Sequence, residues 1–153
     1  MTGIVVSVAT TLAGAAALVA WLRRRFVVID VDGRSMQPTL HEGDRVLVRR
    51  RPLQHIRTGD IVIVQNPGRR NLAEQDWVIK RAVAVPGDPV PASMAAAVTS
   101  AAGSPVPDGR LLVLGDNPSH SADSRQHGYV SGDSVLGVVV RRMGRGTRTA
   151  AQR

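Results

Sequence analysis

The sequence predicts an all-β, antiparallel body preceded by one membrane-spanning helix. Three features lead to this: an uncharged stretch at residues 2–22, short Val-, Ile- and Leu-rich runs after it, and Gly-Asp pairs between those runs. The runs have the length and composition of β-strands, and Gly-Asp pairs are typical of turns. No segment after residue 22 shows helical periodicity, which favours an antiparallel sheet.

Six runs are predicted strands, at residues 26–31, 45–49, 61–65, 77–85, 110–114 and 135–140. Two stretches are predicted loops, the polar residues 66–76 and the low-complexity residues 89–109. We expect residues 89–109 to be too small and flexible in composition to form a core element. The basic tail at residues 143–153 is expected to be disordered. The predicted organisation is an anchor at 2–22, a β-rich domain at 26–142 and this tail.

The uncharged stretch at residues 2–22 predicts a retained transmembrane anchor. About 21 residues at about 1.5 Å each match a hydrocarbon core of about 30 Å. A cleavable signal peptide and a buried core helix are the alternatives. A signal peptide would begin with a basic segment and have a shorter apolar run. Trp21 fits an aromatic residue at the membrane interface.

The composition excludes several kinds of chemistry. The chain has no cysteine, which rules out disulfides, thiolate zinc sites and cysteine nucleophiles. The four histidines, at positions 41, 55, 120 and 127, have no spacing that resembles a metal site. We therefore predict no metal and no cofactor.

Lys80 is the single lysine beside nineteen arginines in a chain of net charge +8. It could survive by chance under a codon bias toward arginine, or because a neutral amine is needed, since arginine stays charged. Strand alternation places it on the same face as Val78 and Ala82. If that face is buried, the pKa of Lys80 falls and the amine becomes a usable base. The alternative is a side chain that extends to solvent.

Two further segments carry reactive side chains. Ser35 lies between Gly33 and Pro38 on a predicted tight turn, where a serine is by itself usually only a turn residue. Residues 114–130, LGDNPSHSADSRQHGYV, could be an ordinary loop rich in Asx and Ser turns. They could instead support a site, with Ser121 orienting an amine.

Together these segments resemble the type I signal peptidase family of serine–lysine dyad peptidases. The resemblance covers residues 31–140 and is carried by GRSMQPTL (33–40), GDRVLV (43–48), IKRAVAVPGD (79–88), and GDNPSHSADSR with GYV (115–130). It identifies the chain as similar to small, single-span members. It implies a nucleophile, a general base and a hydroxyl that orients the base, namely Ser35, Lys80 and Ser121. It also implies that Asp123 and Arg125 hold the third segment together and that Asp116 and Asn117 shape its turn.

The resemblance also implies a substrate and its binding residues. Substrates would be signal-peptide-bearing preproteins, with small residues at the first and third positions before the cut, bound as an added strand. Met36, Gly33 and Pro38 are the candidate substrate-binding residues. The Ser35 amide would donate to the oxyanion. Some family members carry a serine two positions before the nucleophile as a second donor. This chain has Gly33 there, so that donor would be a backbone group.

The expected partners are preproteins and the lipid bilayer, with no nucleic acid, because one Tyr and one Phe offer little base stacking. The expected location is the plasma membrane with the body on the extracytoplasmic face. Arg23 to Arg25 argue for the cytoplasmic face by the positive-inside rule. Two alternatives stay open: a dedicated maturation peptidase for one precursor, and a non-catalytic basic module associated with the membrane.

Overall fold

The computed structural model describes residues 2–66 and 76–145, with side chains from residue 14 to residue 144. In chain order these residues form α1 (Thr2–Arg25), β1 (Phe26–Asp30), β2 (Asp44–Arg50), β3 (Ile61–Gln65), β4 (Trp77–Ala84), β5 (Arg110–Leu114), α2 (Ser124–His127), β6 (Val130–Ser131) and β7 (Val135–Arg145). Short 3-10 turns lie at Leu53–His55, Ala92–Met94, Pro118–His120 and Gly132–Ser134.

The strands form one sheet in the order β1-β2-β7-β3-β4-β5-β6, and every neighbouring pair is antiparallel. The predicted all-β antiparallel body is confirmed, and each of the six predicted strands is present. Many of their Val, Ile and Leu residues are buried, and those of the central strands contribute to two core clusters. Sequence analysis missed β6 and α2, because two and four residues are too few to show a periodicity.

The loop between β1 and β2 carries the predicted nucleophile and is fixed by packing. Met36 and Leu40, 1% and 3% exposed, join Val46, Val48 and Ile63 in one buried cluster. Burying a side chain of this size stabilises the folded state by about 1.5–3 kcal/mol. Met36 and Leu40, both after Ser35, and Val31 before the turn are buried in this cluster and hold the turn backbone against the sheet.

The prediction that residues 89–109 are too small and flexible to form a core element is wrong. Val90, Met94 and Val106 are 2%, 1% and 2% exposed, and they pack with Ala84 of β4 and Leu112 of β5. A bridge between Pro89 and Pro105 closes the segment. Three apolar side chains of this segment are enough to form a small core. The prediction missed them because they are separated in the sequence by many Ala, Ser and Pro residues.

The predicted start of the disordered tail, at residue 143, is wrong. Strand β7 continues to Arg145, and its residues 144 and 145 pair with Arg45 and Asp44 of β2. The remainder of the predicted tail, residues 146–153, lies outside the described residues. The polar loop predicted at 66–76 lies mostly outside them too. Its ends meet where the Asn66 amide donates to the Asp76 carbonyl at 2.8 Å.

Helix α1 covers the predicted anchor and ends in Arg23, Arg24 and Arg25. The Arg25 guanidinium lies 5.1 Å from the centre of the Trp21 ring, within the range of a cation–π contact. In the part of the chain that the structure describes, no helix is both long and apolar enough to cross a bilayer. The anchor at 2–22 stays a prediction from the sequence.

Replacing Met94 by alanine tests whether residues 89–109 contribute a core. Because Met94 is buried, we expect the free energy of unfolding of the full chain in neutral detergent to fall by about 2–5 kcal/mol. Ser93→Ala, at the exposed neighbouring position, should change it by less than about 0.5 kcal/mol. Urea unfolding followed by tryptophan fluorescence measures both. Equal curves for the two variants would contradict a packed segment.

Candidate active site

Ser35 lies on the turn between β1 and β2 and is partly exposed. Gly33 allows the turn because its φ of 79° lies in the left-handed region, which glycine enters without steric cost. The Gln37 amide donates to the Arg34 carbonyl at 3.2 Å and closes the turn around the serine. The backbone thus presents the Ser35 hydroxyl at the surface while Met36 points into the core.

Lys80 lies in the middle of β4, opposite Val62 of β3, and is 4% exposed. The sequence left open whether its side chain is buried or extends to solvent, and the structure buries it. Its Nζ donates to the Ser121 Oγ at 3.0 Å. Burial lowers the pKa of Lys80 from its ordinary value, the nearby Asp123 carboxylate acts in the opposite direction, and Arg125 lowers it further. The amine therefore gives up its proton more readily than a surface lysine does.

Ser121 links this amine to a carboxylate. Its Oγ accepts from Lys80 and donates to Asp123 Oδ2 at 2.7 Å. A hydroxyl has one hydrogen to donate, and Asp123 takes it. In its hydrogen bond with Lys80, Ser121 can therefore only be the acceptor. When the Lys80 amine is neutral, its nitrogen lone pair is not used in this hydrogen bond and is free to accept a proton.

Asp123 is fully buried and is the most heavily hydrogen-bonded carboxylate of the site. It accepts from the Gly115 amide at 3.0 Å and from Arg125 Nε and Nη2 at 2.9 and 2.8 Å. It also caps α2, where it accepts from the Arg125 amide. Burial raises the pKa of Asp123, but the hydrogen bonds from Arg125, Gly115 and Ser121 outweigh this effect and hold the pKa at about 2.

Asp116 and Asn117 tie the third segment to the turn that carries Ser35. The Asn117 amide donates to the Ser35 carbonyl at 2.9 Å, and its side-chain Nδ2 donates to the Arg34 carbonyl at 3.1 Å. Asp116 accepts from Arg81 Nε at 2.8 Å and Nη2 at 2.6 Å, and from Thr39 Oγ1 at 2.5 Å. These contacts do more than the predicted shaping of a turn, because they fix three segments relative to one another.

The structure brings the predicted residues into one region without joining the two reactive groups. Within residues 2–66 and 76–145 the Ser35 hydroxyl forms no hydrogen bond, so it is not bonded to Lys80. Catalytic hydrogen bonds are often long in the absence of substrate. The predicted catalytic roles of Ser35 and Lys80, and the supporting roles of Ser121, Asp123 and Arg125, stay predictions that this geometry permits.

Gly115 is a site residue that sequence analysis missed. A Cβ atom there would overlap the Ser121 Oγ and would lie 2.6 Å from the Ser35 carbonyl oxygen. Only a residue without a side chain lets the Ser35 turn and Ser121 approach each other this closely. Its place in a Gly-Asp pair indicated only a turn, and the sequence has five such pairs.

The predicted substrate-binding residues have different environments. Met36 is buried in the core, so its observed contacts are packing contacts. Gly33 and Pro38 are exposed on the turn, and a cis peptide bond joins Gln37 to Pro38. Their role in substrate binding stays a prediction. Across residues 2–66 and 76–145, no group of three His, Asp or Glu side chains could hold a metal ion.

A buried lysine that contacts a serine hydroxyl, near a second serine on an exposed turn, provides the groups that serine–lysine peptidases use. Comparison with known proteins places the chain in a peptidase family. A model of the family described as "Signal peptidase, peptidase S26" matches residues 4–100 and 91–143. The chain therefore belongs to the S26 signal peptidase family.

Similar proteins come from bacteria and from mitochondria. The chain is 30% identical over 150 residues to a probable signal peptidase I-1 of Synechocystis sp., covering 79% of this chain and 74% of that protein. It is 34% identical over 122 residues to subunit 2 of the mitochondrial inner membrane protease of Danio rerio, covering 72% and 60%. It is 27% identical over 146 residues to signal peptidase I V of Bacillus subtilis, covering 74% and 83%.

Among solved structures, a signal peptidase I from Enterococcus faecalis matches with 26% identity and a TM-score of 0.39. The match covers 55% of this chain and 96% of that chain.

Replacing Gly115 by alanine tests whether this glycine sets the site geometry. The added methyl group must push Ser121 away from the Ser35 turn, and a shift of about 1 Å costs about a hundredfold in rate. We expect kcat/KM for a peptide substrate to fall by about that factor, mainly through kcat. Gly14→Ala, where a Cβ meets nothing within 4 Å, is the matched control. Equal activity of the two variants would contradict the close approach.

The low pKa of Asp123 predicts a pH-dependent stability. The unfolded-state pKa is about 3.9 and the folded-state pKa is about 2. The carboxylate therefore stabilises the fold fully above about pH 5, and this contribution is lost as the pH falls toward 2. Asp123→Asn should cost about 2 kcal/mol of unfolding free energy at pH 7, and the deficit relative to the parent chain should shrink between pH 5 and pH 2.

Urea unfolding at a series of pH values measures this deficit. Asp133→Asn, at an exposed position, serves as the control and should change the unfolding free energy little at any pH. A deficit for Asp123→Asn that stays constant from pH 7 to pH 2 would show that the carboxylate charge does not stabilise the site.

Proposed function

We propose that the chain is a membrane-bound serine endopeptidase that removes N-terminal signal peptides from exported preproteins, with Ser35 as nucleophile and Lys80 as general base. The observation that carries the proposal is the buried Lys80 amine, 4% exposed and 3.0 Å from the Ser121 hydroxyl. Burial favours the neutral amine, which a base near neutral pH requires. Membership of the S26 family supports the substrate class.

In the proposed mechanism the neutral Lys80 amine accepts the Ser35 proton as the Ser35 oxygen attacks the scissile carbonyl. The resulting ammonium protonates the leaving amine, which departs and leaves an acyl-enzyme on Ser35. A water molecule activated by Lys80 then releases the acyl group and restores the serine. Ser121 supports both steps, because it accepts from the amine without occupying its lone pair.

Oxyanion stabilisation is proposed to come from the Ser35 turn. The Ser35 amide donates to no acceptor within the described ranges 2–66 and 76–145. Asn117, bonded to the Ser35 and Arg34 carbonyls, restrains the turn on the opposite side of those peptide groups. A fixed, unpaired amide next to the nucleophile can stabilise the developing negative charge at no cost in reorganisation.

Substituting the proposed dyad tests the mechanism. Ser35→Ala removes the nucleophile, Lys80→Met removes the amine, and Lys80→Arg keeps a cation that stays protonated and cannot act as a base. We expect each change to lower kcat/KM by at least about a thousandfold. The assay is cleavage of a reporter preprotein with an Ala-x-Ala site by the full chain in neutral detergent.

The controls are Ser119→Ala, an exposed serine of the same loop as Ser121, and Arg110→Lys, an exposed cation of β5. Both should cleave the reporter as the parent chain does. Full activity of Lys80→Arg would exclude Lys80 as the base. Loss of activity together with loss of the unfolding transition would point to misfolding, so each variant is also unfolded in urea.

Membrane attachment belongs to the same proposal and rests on the uncharged residues 2–22 and on the family. We expect the full chain to sediment with membranes at alkaline pH and the chain without residues 2–22 to stay in the supernatant. The body is proposed to lie on the extracytoplasmic face, against the bias of Arg23 to Arg25, because exported preproteins are cleaved there. Protection from added protease in intact cells would contradict that orientation.

A dedicated maturation peptidase for one precursor is the second candidate. It is motivated by the 34% identity over 122 residues to subunit 2 of a mitochondrial inner membrane protease. A panel of preproteins separates the two functions. Comparable kcat/KM across the panel supports a general signal peptidase, and cleavage of one precursor alone supports a dedicated enzyme.

A further inference from the structure

A cavity lies outside the candidate active site, where the chain passes from β2 to β3. It has a volume of about 480 Å3 and is lined by Arg51, His55, Arg57 and Asp60 and by Val138, Val139 and Val140 of β7. Strand β7 lies between β2 and β3 in the sheet, so its segment Val138–Val140 forms the floor of the cavity. Of these three valines, Val140 is exposed. The cationic side chains of the connection form the walls. We refer to this cavity as the basic pocket.

The positive charge of the basic pocket is only partly balanced by the protein. Arg51, His55 and Arg57 form no side-chain hydrogen bond or ion pair within residues 2–66 and 76–145. Asp60 is the one acidic residue in the lining, and its carboxylate accepts from the Arg57 backbone amide at 2.9 Å. Elsewhere the described arginines include four that pair with Asp side chains, at 45, 81, 125 and 142.

The lining holds two guanidinium groups and one carboxylate, so it carries a net positive charge that attracts an anion. Two guanidinium groups also match the geometry of a phosphate, which they can bind through paired hydrogen bonds. The lining therefore favours an anionic ligand with a phosphate group and an apolar portion that reaches the valine floor.

The position of the basic pocket in the fold identifies the source of such a ligand. Phe26, the first residue of β1, pairs with Arg49, so the end of β2 that leads into Arg51 lies beside the end of α1. That end of α1 carries the exposed Arg23, Arg24 and Arg25 and the half-exposed Trp21. Val140 of the pocket floor is 50% exposed. Basic and apolar groups thus meet where the proposed anchor enters the body.

We infer that the basic pocket binds the phosphate headgroup of an anionic phospholipid, with Arg51 and Arg57 as phosphate ligands and the exposed Val140 against the glycerol end of the acyl chains. The inference rests on the proposed membrane attachment. It is independent of the proposed dyad, since no residue of the pocket belongs to the candidate active site. Bound lipid would fix the body relative to the membrane surface and so orient the Ser35 turn toward a membrane-bound precursor.

The test uses the full chain in neutral detergent and short-chain phospholipids as probes. Dihexanoylphosphatidylglycerol, dihexanoylphosphatidylcholine and inorganic phosphate are titrated separately, and binding is followed by calorimetry at low salt. We expect saturable binding of the phosphatidylglycerol, with the other two probes binding at least about tenfold more weakly. Equal binding of inorganic phosphate would overturn the assignment to a lipid, and equal binding of phosphatidylcholine would overturn the requirement for net negative charge.

The variants are Arg51→Gln with Arg57→Gln, and a control with the same loss of charge, Arg45→Gln with Arg110→Gln. The first pair should weaken phosphatidylglycerol binding by at least about tenfold, and the control should change it less than about twofold. Equal binding by both would refute the site. Reporter cleavage in neutral detergent without lipid is measured on the same samples and should stay unchanged, so loss of the lipid site and failure of the peptidase proposal give different results.

Discussion

The burial of one amine is the constraint on which the rest of the structure depends. Lys80 lies on a sheet face shared with Val62 and Ala82, and only 4% of it is exposed. Burying an unpaired ammonium group costs folding free energy. The fold must therefore either provide hydrogen-bond or ionic partners for the amine, or bury the amine in its neutral form. The fold supplies the Ser121 hydroxyl as the hydrogen-bond partner of the Lys80 amine. The Asp123 carboxylate is hydrogen-bonded to Ser121 rather than to the amine itself. The hydroxyl satisfies the amine's hydrogen bond, and the carboxylate is paired with Arg125, so its charge does less to keep the amine protonated.

The site also requires that the three segments around Lys80 keep fixed positions relative to one another, although they are far apart in the sequence. Asn117 holds the Ser35 turn, Gly115 lets that turn approach Ser121, and Asp116 binds Arg81, the residue after the lysine. Each contact joins two of the three segments, so displacing one segment disturbs the other two. The cluster around Met94 packs against Ala84 of β4 and Leu112 of β5, so it supports the strand that carries Lys80 and the strand that leads into residues 115–130. Fold stability and site geometry therefore depend on the same contacts.

The strands were predictable because runs of Val, Ile and Leu of strand length, with turn residues between them, are a signal that the local sequence carries. The candidate site residues were recognised through three ordered motifs, and the structure adds the contacts among Lys80, Ser121 and Asp123 that a sequence cannot contain. Three features could not be predicted from the sequence, because each depends on contacts between distant parts of the chain. Residues 89–109 bury three apolar side chains among many small ones, β7 gains its last residues by pairing with β2, and Gly115 matters through a close approach to a turn far away in the chain.

The central claim, that the fold holds the Lys80 amine in a form that loses its proton easily, can be measured directly because the chain has one lysine. The full chain is labelled with 13C- and 15N-lysine and titrated in neutral detergent, with the lysine Cε chemical shift followed by NMR. We expect a single resonance that titrates with a pKa clearly below the ordinary value of 10.5, and a return of the pKa to that value when the chain is unfolded in urea. A resonance that titrates at or above 10.5 in the folded chain would contradict Lys80 as a base prepared by burial.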